Sequence, residues 1–361
     1  MIKIMVAMVL ALELYATALP SKEVLEKQIG KMIIVGFDES ELSSNSPIIK
    51  AIKRYDLGGV ILFDRFYNDT TKVKNIDSPQ QLQMLTQKLK EASPHLMISI
   101  DQEGGKVQRL KSTSGFLPTS SAKEMASKSV EDAYKEYAKL ALMLQHNGIN
   151  TNFAPVVDLA LNPNNTVIYQ LERSYSDDPQ KVVHYATAFI EAQNEKGVMS
   201  VLKHFPGHGS SLNDSHEGFV DVTQSWHKME LEPFKSMIKN KSVSMIMTAH
   251  IFNAHLDPKY PATLSHNINT KLLRENLGFE GVLISDDLQM KAISEHYTLA
   301  QTVTLAINSG VDIVLFGNQL GSQNLEELIE TIYQQVVRGN IAYERILQSN
   351  ARIKALSHHL K

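Results

Sequence analysis

Short apolar runs and longer periodic stretches take turns along almost the whole chain. The apolar runs fall at 32–37, 59–63, 96–100, 152–159, 199–202, 244–248, 281–285 and 311–316. Each is brief and nearly continuous in apolar residues, as strands buried on both faces of a parallel sheet are. Between them, apolar residues recur every three or four positions. Ser78-Pro79 opens a helix with Leu82, Leu85 and Leu89 on one face, and Asp178-Pro179 opens another with Val182, Val183, Ala186, Phe189 and Ile190, closed by Gly197. A capping side chain followed by proline suits a first turn, where an amide donor is not needed. Ala133, Tyr137, Leu140, Ala141 and Leu144 mark a third helix ahead of Gly148, and 325–337 and 343–359 read as two more. Eight strands alternating with helices predict an α/β fold, a closed (β/α)8 TIM barrel forming a single domain over 21–361. An open doubly wound sheet is the alternative, but Gly58-Gly59 does not make the glycine-rich first turn typical of such sheets.

Composition narrows the picture. Hydrophobic residues make up 43% and charged residues 21% of the 361, enough apolar side chains for a large core. A net charge of −3 without a long Lys/Arg run gives no electrostatic footprint for nucleic acid or an anionic membrane, so neither is expected as a partner. With no cysteine, the chain cannot use disulfides, thiolate nucleophiles, iron–sulfur clusters or cysteine zinc sites. Residues 1–20 hold Lys3, an apolar stretch over 4–12 and the small residues Ala16-Thr17-Ala18, which read as a signal peptide and hence a periplasmic or exported protein. Glu13 and the single lysine leave an N-terminal helix on a cytoplasmic protein as the alternative. No later stretch approaches the length of a membrane span.

In a (β/α)8 barrel the reactive side chains stand at the carboxyl ends of the strands. Asp101-Gln102-Glu103-Gly104-Gly105 and then Arg109 follow the third apolar run, and the fourth ends near Asp158 with Arg173 in the loop beyond. The fifth leads into Lys203-His204-Phe205-Pro206-Gly207-His208-Gly209 and Asp214-Ser215-His216, the sixth reaches His250, and the seventh reaches Asp286-Asp287. Buried without partners, polar groups this dense would be costly, so they are expected to face a solvated pocket. An Asp-x-His spacing lets a carboxylate hold one imidazole nitrogen while the other faces a reactant, which suits a general acid/base. Three chemistries can use such a pocket. Phosphoryl transfer has only Gly207-His208-Gly209 as a cradle. Metal-assisted hydrolysis would draw on His204, His208, His216, His250 and an aspartate, yet no histidine pair stands at ligand spacing on a strand. Glycoside hydrolysis needs a carboxylate near the anomeric carbon and a proton donor beside the leaving oxygen, roles open to Asp286 or Asp287 and to the Asp214/His216 pair.

The Lys-His-Phe-Pro-Gly-His-Gly string at 203–209 with Asp-Ser-His at 214–216 resembles glycoside hydrolase family 3, most of all its single-domain bacterial β-N-acetylglucosaminidases. The segments 101–109, 152–159, 172–175 and 285–290 are similar to further motifs of that family, in the same order. The resemblance implies Asp286 as nucleophile, His216 as acid/base oriented by Asp214, and Asp101, Arg109, Arg173, Lys203 and His204 lining the sugar subsite. It further implies net retention, no cofactor or metal, and a carbohydrate substrate carrying terminal N-acetylglucosamine, such as muropeptides from peptidoglycan. The chain is expected to be a monomer without stable membrane association. Because a histidine acid leaves no anion beside the departing group, phosphate is an alternative acceptor to water, which would make the protein a β-glycoside phosphorylase. His208 and His250 are expected to brace structure rather than touch substrate.

Overall fold

The computed structural model describes residues 19–212, 214–215 and 218–356; the leader up to residue 18, His216 and the predicted helix end at 357–359 lie outside the described residues. Among the described residues ten strands form: β1 Ile33–Gly36, β2 Gly59–Ile61, β3 Met97–Ile100, β4 Thr151–Asn152, β5 Met199–Phe205, β6 Val220–Asp221, β7 Met245–Thr248, β8 Ile251–Phe252, β9 Val282–Asp287 and β10 Ile313–Phe316. Eight of them close a parallel barrel in the order β1-β2-β3-β4-β5-β7-β9-β10, with β10 returning to β1 so that Ile33 stands opposite Val314. β6 and β8 pair separately as a short parallel ladder. The fold is the expected (β/α)8 barrel.

The helices begin where the capping signals stand. Ser78 accepts a hydrogen bond from the Gln81 amide ahead of Pro79–Ala92, and Asp178 accepts one from the Gln180 amide ahead of Pro179–Asn194. Val130–His146, Leu325–Val337 and Tyr343–Leu356 complete the predicted set. The fourth strand departs from expectation. The apolar stretch 152–159 is buried, but only Thr151–Asn152 forms a regular strand. Pro155 has no amide to donate, so the ladder breaks up there. Contact with β5 continues through isolated bonds, Val201 N to the Ala154 carbonyl at 3.0 Å and Val157 N to the Lys203 carbonyl at 2.8 Å. β5 and β9 run further than predicted, to Phe205 and Asp287, and so carry polar residues within the barrel wall.

Side chains alternate between the barrel interior and the helical layer. Ile34, Ile61, Met97, Met199, Val201, Met245, Met247, Val282, Ile284, Ile313 and Leu315 fill the inside, and Leu356 of the last helix packs with them. Beyond these residues the carboxyl ends carry Asp101 after β3, Lys203 on β5 and Asp286 on β9, the last two where the pairing register slips. The apolar barrel is thus roofed by a layer of charge.

Candidate active site

That layer is held by a knot of ion pairs. Glu103 takes Arg173 in a two-pronged grip, Nε to Oε2 at 2.7 Å and Nη2 to Oε1 at 2.7 Å. Its Oε1 also lies 2.7 Å from Lys203 Nζ, which donates in turn to Asp101 Oδ1 at 2.8 Å. The fork of the guanidinium matches a carboxylate, and such charge-assisted bonds are strong. The Glu103, Arg173 and Lys203 side chains are almost fully buried, whereas Asp101 keeps 18% of its surface accessible. Burial alone would raise the Glu103 carboxyl, but the two cations outweigh it and hold the group well below the usual carboxylate range. Burial likewise opposes the Lys203 charge, and Asp101 with Glu103 reverses the effect and raises its pKa. Arg109 Nη2 approaches Asp101 Oδ2 at 3.6 Å, with its guanidinium over the Phe63 ring.

A second buried carboxylate orders the histidines. Asp158 Oδ2 lies 2.6 Å from His204 Nδ1, and its Oδ1 accepts the amides of His208 at 2.8 Å and His204 at 3.3 Å. Burial opposes its charge, but the two imidazoles outweigh it and lower the pKa. With Nδ1 engaged by Asp158, His204 turns Nε2 towards Arg173 Nη2, 3.4 Å away. His208 braces its own turn through Nδ1 and Ser211 Oγ at 2.6 Å, and burial pushes its ring down to about 4.

The loop beyond β5 is gripped at its root from two sides. Asn165 donates to the His208 carbonyl at 2.8 Å, and Asn162 donates to the Ser211 carbonyl at 3.0 Å. Opposite them, Glu230 accepts from the Gly209 amide at 2.8 Å and the Ser210 hydroxyl at 2.6 Å. The glycines are dictated by close approach: a Cβ on Gly207 would stand 2.6 Å from Glu230 Cβ, and one on Gly209 would stand 1.9 Å from the Leu159 carbonyl oxygen. Gly207-His208-Gly209 is therefore a packing device, which removes the reason to read it as a phosphate cradle.

At the end of β9 the two aspartates part company. Asp287 Oδ1 accepts the backbone amides of Gln289 at 3.0 Å and Gly317 at 3.2 Å. Asp286 Oδ1 accepts the Asp287 amide at 2.8 Å. A cavity of about 300 Å³ at this end of the barrel is lined by Asp101, Arg109, Arg173, Lys203, His204, Asp214 and Asp286. Seven of the eight residues singled out in the sequence thus meet around one space, and the eighth, His216, lies outside the described residues. A larger depression of about 890 Å³ opens between the helices Pro47–Tyr55 and Leu325–Val337, but none of these charged groups lines it.

The model of the glycosyl hydrolase family 3 N-terminal domain matches residues 24–356. The chain belongs to glycoside hydrolase family 3. It is 36% identical over 330 residues to β-hexosaminidase A of Pseudoalteromonas piscicida, covering 86% of this chain and 54% of that protein. With the β-hexosaminidase of Tolumonas auensis it shares 35% identity over 268 residues, 73% of this chain and 76% of that one. A solved family 3 β-N-acetylglucosaminidase from Paenibacillus sp. superposes with a TM-score of 0.82 at 32% identity, over 93% of this chain and 62% of its own. The chain therefore spans about half the length of the first of these relatives and less than two thirds of the solved one.

Within this family 3 barrel, Glu103 and Asp158, expected at strand ends facing a solvated pocket, are instead buried against partners that the sequence does not assign them, and Tyr67 is a lining residue it does not single out. Glu103 and Asp158 stood in recognised motifs, but their partners lie 70 and 46 positions away, so nothing local marks them as the anchors of Arg173 and His204. Tyr67 lines the cavity while 60% exposed, although the aromatic residues are too scattered in sequence to suggest it. His250 is engaged by Thr263 Oγ1 at 2.7 Å and the Asp287 carbonyl at 2.9 Å. Among the described residues no group of three or more His, Asp or Glu stands where it could hold a metal ion, and no helix is long and apolar enough to cross a membrane.

Proposed function

We propose that the protein is a retaining β-N-acetylhexosaminidase that releases terminal N-acetylglucosamine. The observation carrying this reading is that Asp286, Asp214 and the Asp101, Lys203 and Arg173 side chains, the last two tied together by Glu103, border one cavity. The β-hexosaminidase names of the relatives support it. Asp286 attacks the anomeric carbon and displaces the leaving oxygen, giving a covalent glycosyl-enzyme. His216, oriented by Asp214, gives its proton to that oxygen, then takes one from the water that releases the sugar and frees Asp286. Asp101 and Arg109 bind hydroxyls at the rim of the knot. Muropeptide fragments of peptidoglycan are the proposed substrates, and the apolar leader supports export of the enzyme.

The test is hydrolysis of an aryl β-N-acetylglucosaminide against the matching β-glucoside, with and without phosphate, following the anomer first released. Fast release of β-N-acetylglucosamine and little action on the glucoside are expected. An α-anomer as first product, or preference for the glucoside, rejects the reading. Glycosyl phosphate as the main product would favour the phosphorylase instead. Exhaustive chelation is expected to leave the rate unchanged, since each step uses only side chains; loss of activity restored by a divalent cation would return the reaction to metal-assisted hydrolysis.

A further inference from the structure

Glu230 takes no part in the chemistry just described, yet it is 1% exposed and sits under the loop that carries Asp214. It belongs to the short helical turn Lys228–Leu231, where it also accepts the His227 amide at 3.4 Å in a reciprocal cap. Its remaining capacity goes to the loop root, Gly209 N on Oε2 and Ser210 Oγ on Oε1. Trp226, on the same segment, donates from Nε1 to the Pro206 carbonyl at 3.3 Å. Gly207 is pressed so close to Glu230 that no side chain fits between them. A buried carboxyl with this many donors is expensive to replace, since each donor left behind loses its partner inside the protein. Beyond the clamped root the loop turns outward, Leu212 being 61% exposed, and then returns Asp214 and Ser215 to the cavity wall.

We propose that Glu230 is a positioning residue, a buried clamp that fixes the 207–211 root of the loop leading to Asp214 and so sets where the carboxylate that orients the acid/base stands beside the cavity. This rests on the function proposed above. Burial, with the Asp158 charge adding to it, pushes the Glu230 carboxyl up to about 7, so both the charged and neutral forms are within reach of working pH. Glutamine keeps both loop bonds, its oxygen accepting the Gly209 amide and its NH2 donating to the Ser210 hydroxyl, and gives up only the long bond from the His227 amide. Alanine leaves both loop donors without a partner.

The experiment compares wild type, Glu230→Gln and Glu230→Ala on two β-N-acetylglucosaminides, a dinitrophenyl glycoside that departs without protonation and an alkyl glycoside that cannot. Misplacing a catalytic group by about an ångström costs on the order of a hundredfold, so Glu230→Ala should lose about that factor on the alkyl glycoside. Inhibition by free N-acetylglucosamine should stay within about twofold of wild type, because Asp101 and Arg109 follow β3, and Lys203 on β5 is held by Asp101 and Glu103 rather than by the loop root. On the dinitrophenyl substrate the remaining slow step is base-assisted attack of water. Azide needs no base; it displaces Asp286 from the anomeric carbon as the anion, and should restore turnover in Glu230→Ala with a β-glycosyl azide as product. Glu230→Gln should recover most of the wild-type rate on both substrates. Unchanged rates in Glu230→Ala, weakened inhibition by N-acetylglucosamine in proportion to the lost rate, or failure of azide to rescue would each overturn the clamp. A wild type inactive on both substrates would instead overturn the function on which it rests, and the clamp with it.

Discussion

Asp286→Ala is expected to lower turnover of an aryl β-N-acetylglucosaminide by roughly 10⁴-fold or more, the scale on which loss of a covalent nucleophile shows. The expectation comes from where β9 ends. Pairing with β10 slips between Ile284 and Asp287, so the inward alternation of Val282 and Ile284 does not choose between the two aspartates, and both reach the cavity wall. Asp287 is no substitute, because its Oδ1 is committed to the Gln289 and Gly317 amides and a Cβ at Gly317 would stand 2.6 Å from its Oδ2. The cost to folding should be small, since Asp286 is only part-buried and the Asp287 amide it receives lies at the edge of the cavity. Azide should partly rescue this variant too, entering the space left by the carboxylate and yielding the α-glycosyl azide by a single inversion. The anomer formed thus separates loss of the nucleophile from loss of the acid/base, which gives the β-azide. Near-normal turnover in Asp286→Ala, with Asp287→Ala inactive, would exchange the roles of the two.

How far the site could be read from the chain depends on the range of the interactions that make it. Strand runs and helix caps are local, so the barrel and the Ser78 and Asp178 caps are legible within windows of a few residues, whereas the choice between Asp286 and Asp287 rests on the family resemblance rather than on spacing. β4 was misjudged because burial and ladder pairing are separate properties. The 152–159 stretch is apolar enough to be buried, while Pro155 denies it a regular ladder, and Asn152 instead exchanges side-chain bonds with the Gln102 backbone at 3.0 and 3.1 Å. The anchoring of Arg173, His204 and the 207–210 turn depends on carboxylates 70, 46 and about 20 positions away, and no periodicity links such pairs. The resemblance implies Lys203 and Arg173 among the residues lining a sugar subsite; the structure adds that both are partners of Glu103.

That double duty makes Glu103 the residue whose loss should unsettle fold and function together. Removing one partner of a buried ion pair costs about 3–5 kcal/mol, because the other charge stays behind in a poorly solvated place. Here one carboxylate serves two cations, and Glu103→Gln would leave Arg173 and Lys203 facing each other without their shared partner, Asp101 and Asp158 being the carboxylates that still act on Arg173. Equilibrium denaturation of Glu103→Gln should therefore show a loss on that scale, accompanied by slower turnover as Lys203 shifts towards Asp101. The pH dependence gives an independent check. The Glu103 carboxyl is depressed in the folded protein relative to an unfolded value near 4.3, so its contribution to stability is fully present above that pH. As the solution is made more acid the contribution is lost, because the unfolded chain takes up the proton first. The wild type should therefore lose stability below about pH 4 more steeply than Glu103→Gln, the two curves converging in acid. Parallel curves, or equal stability at neutral pH, would mean that the cations find other partners and that the knot is not what holds the sugar-binding layer in place.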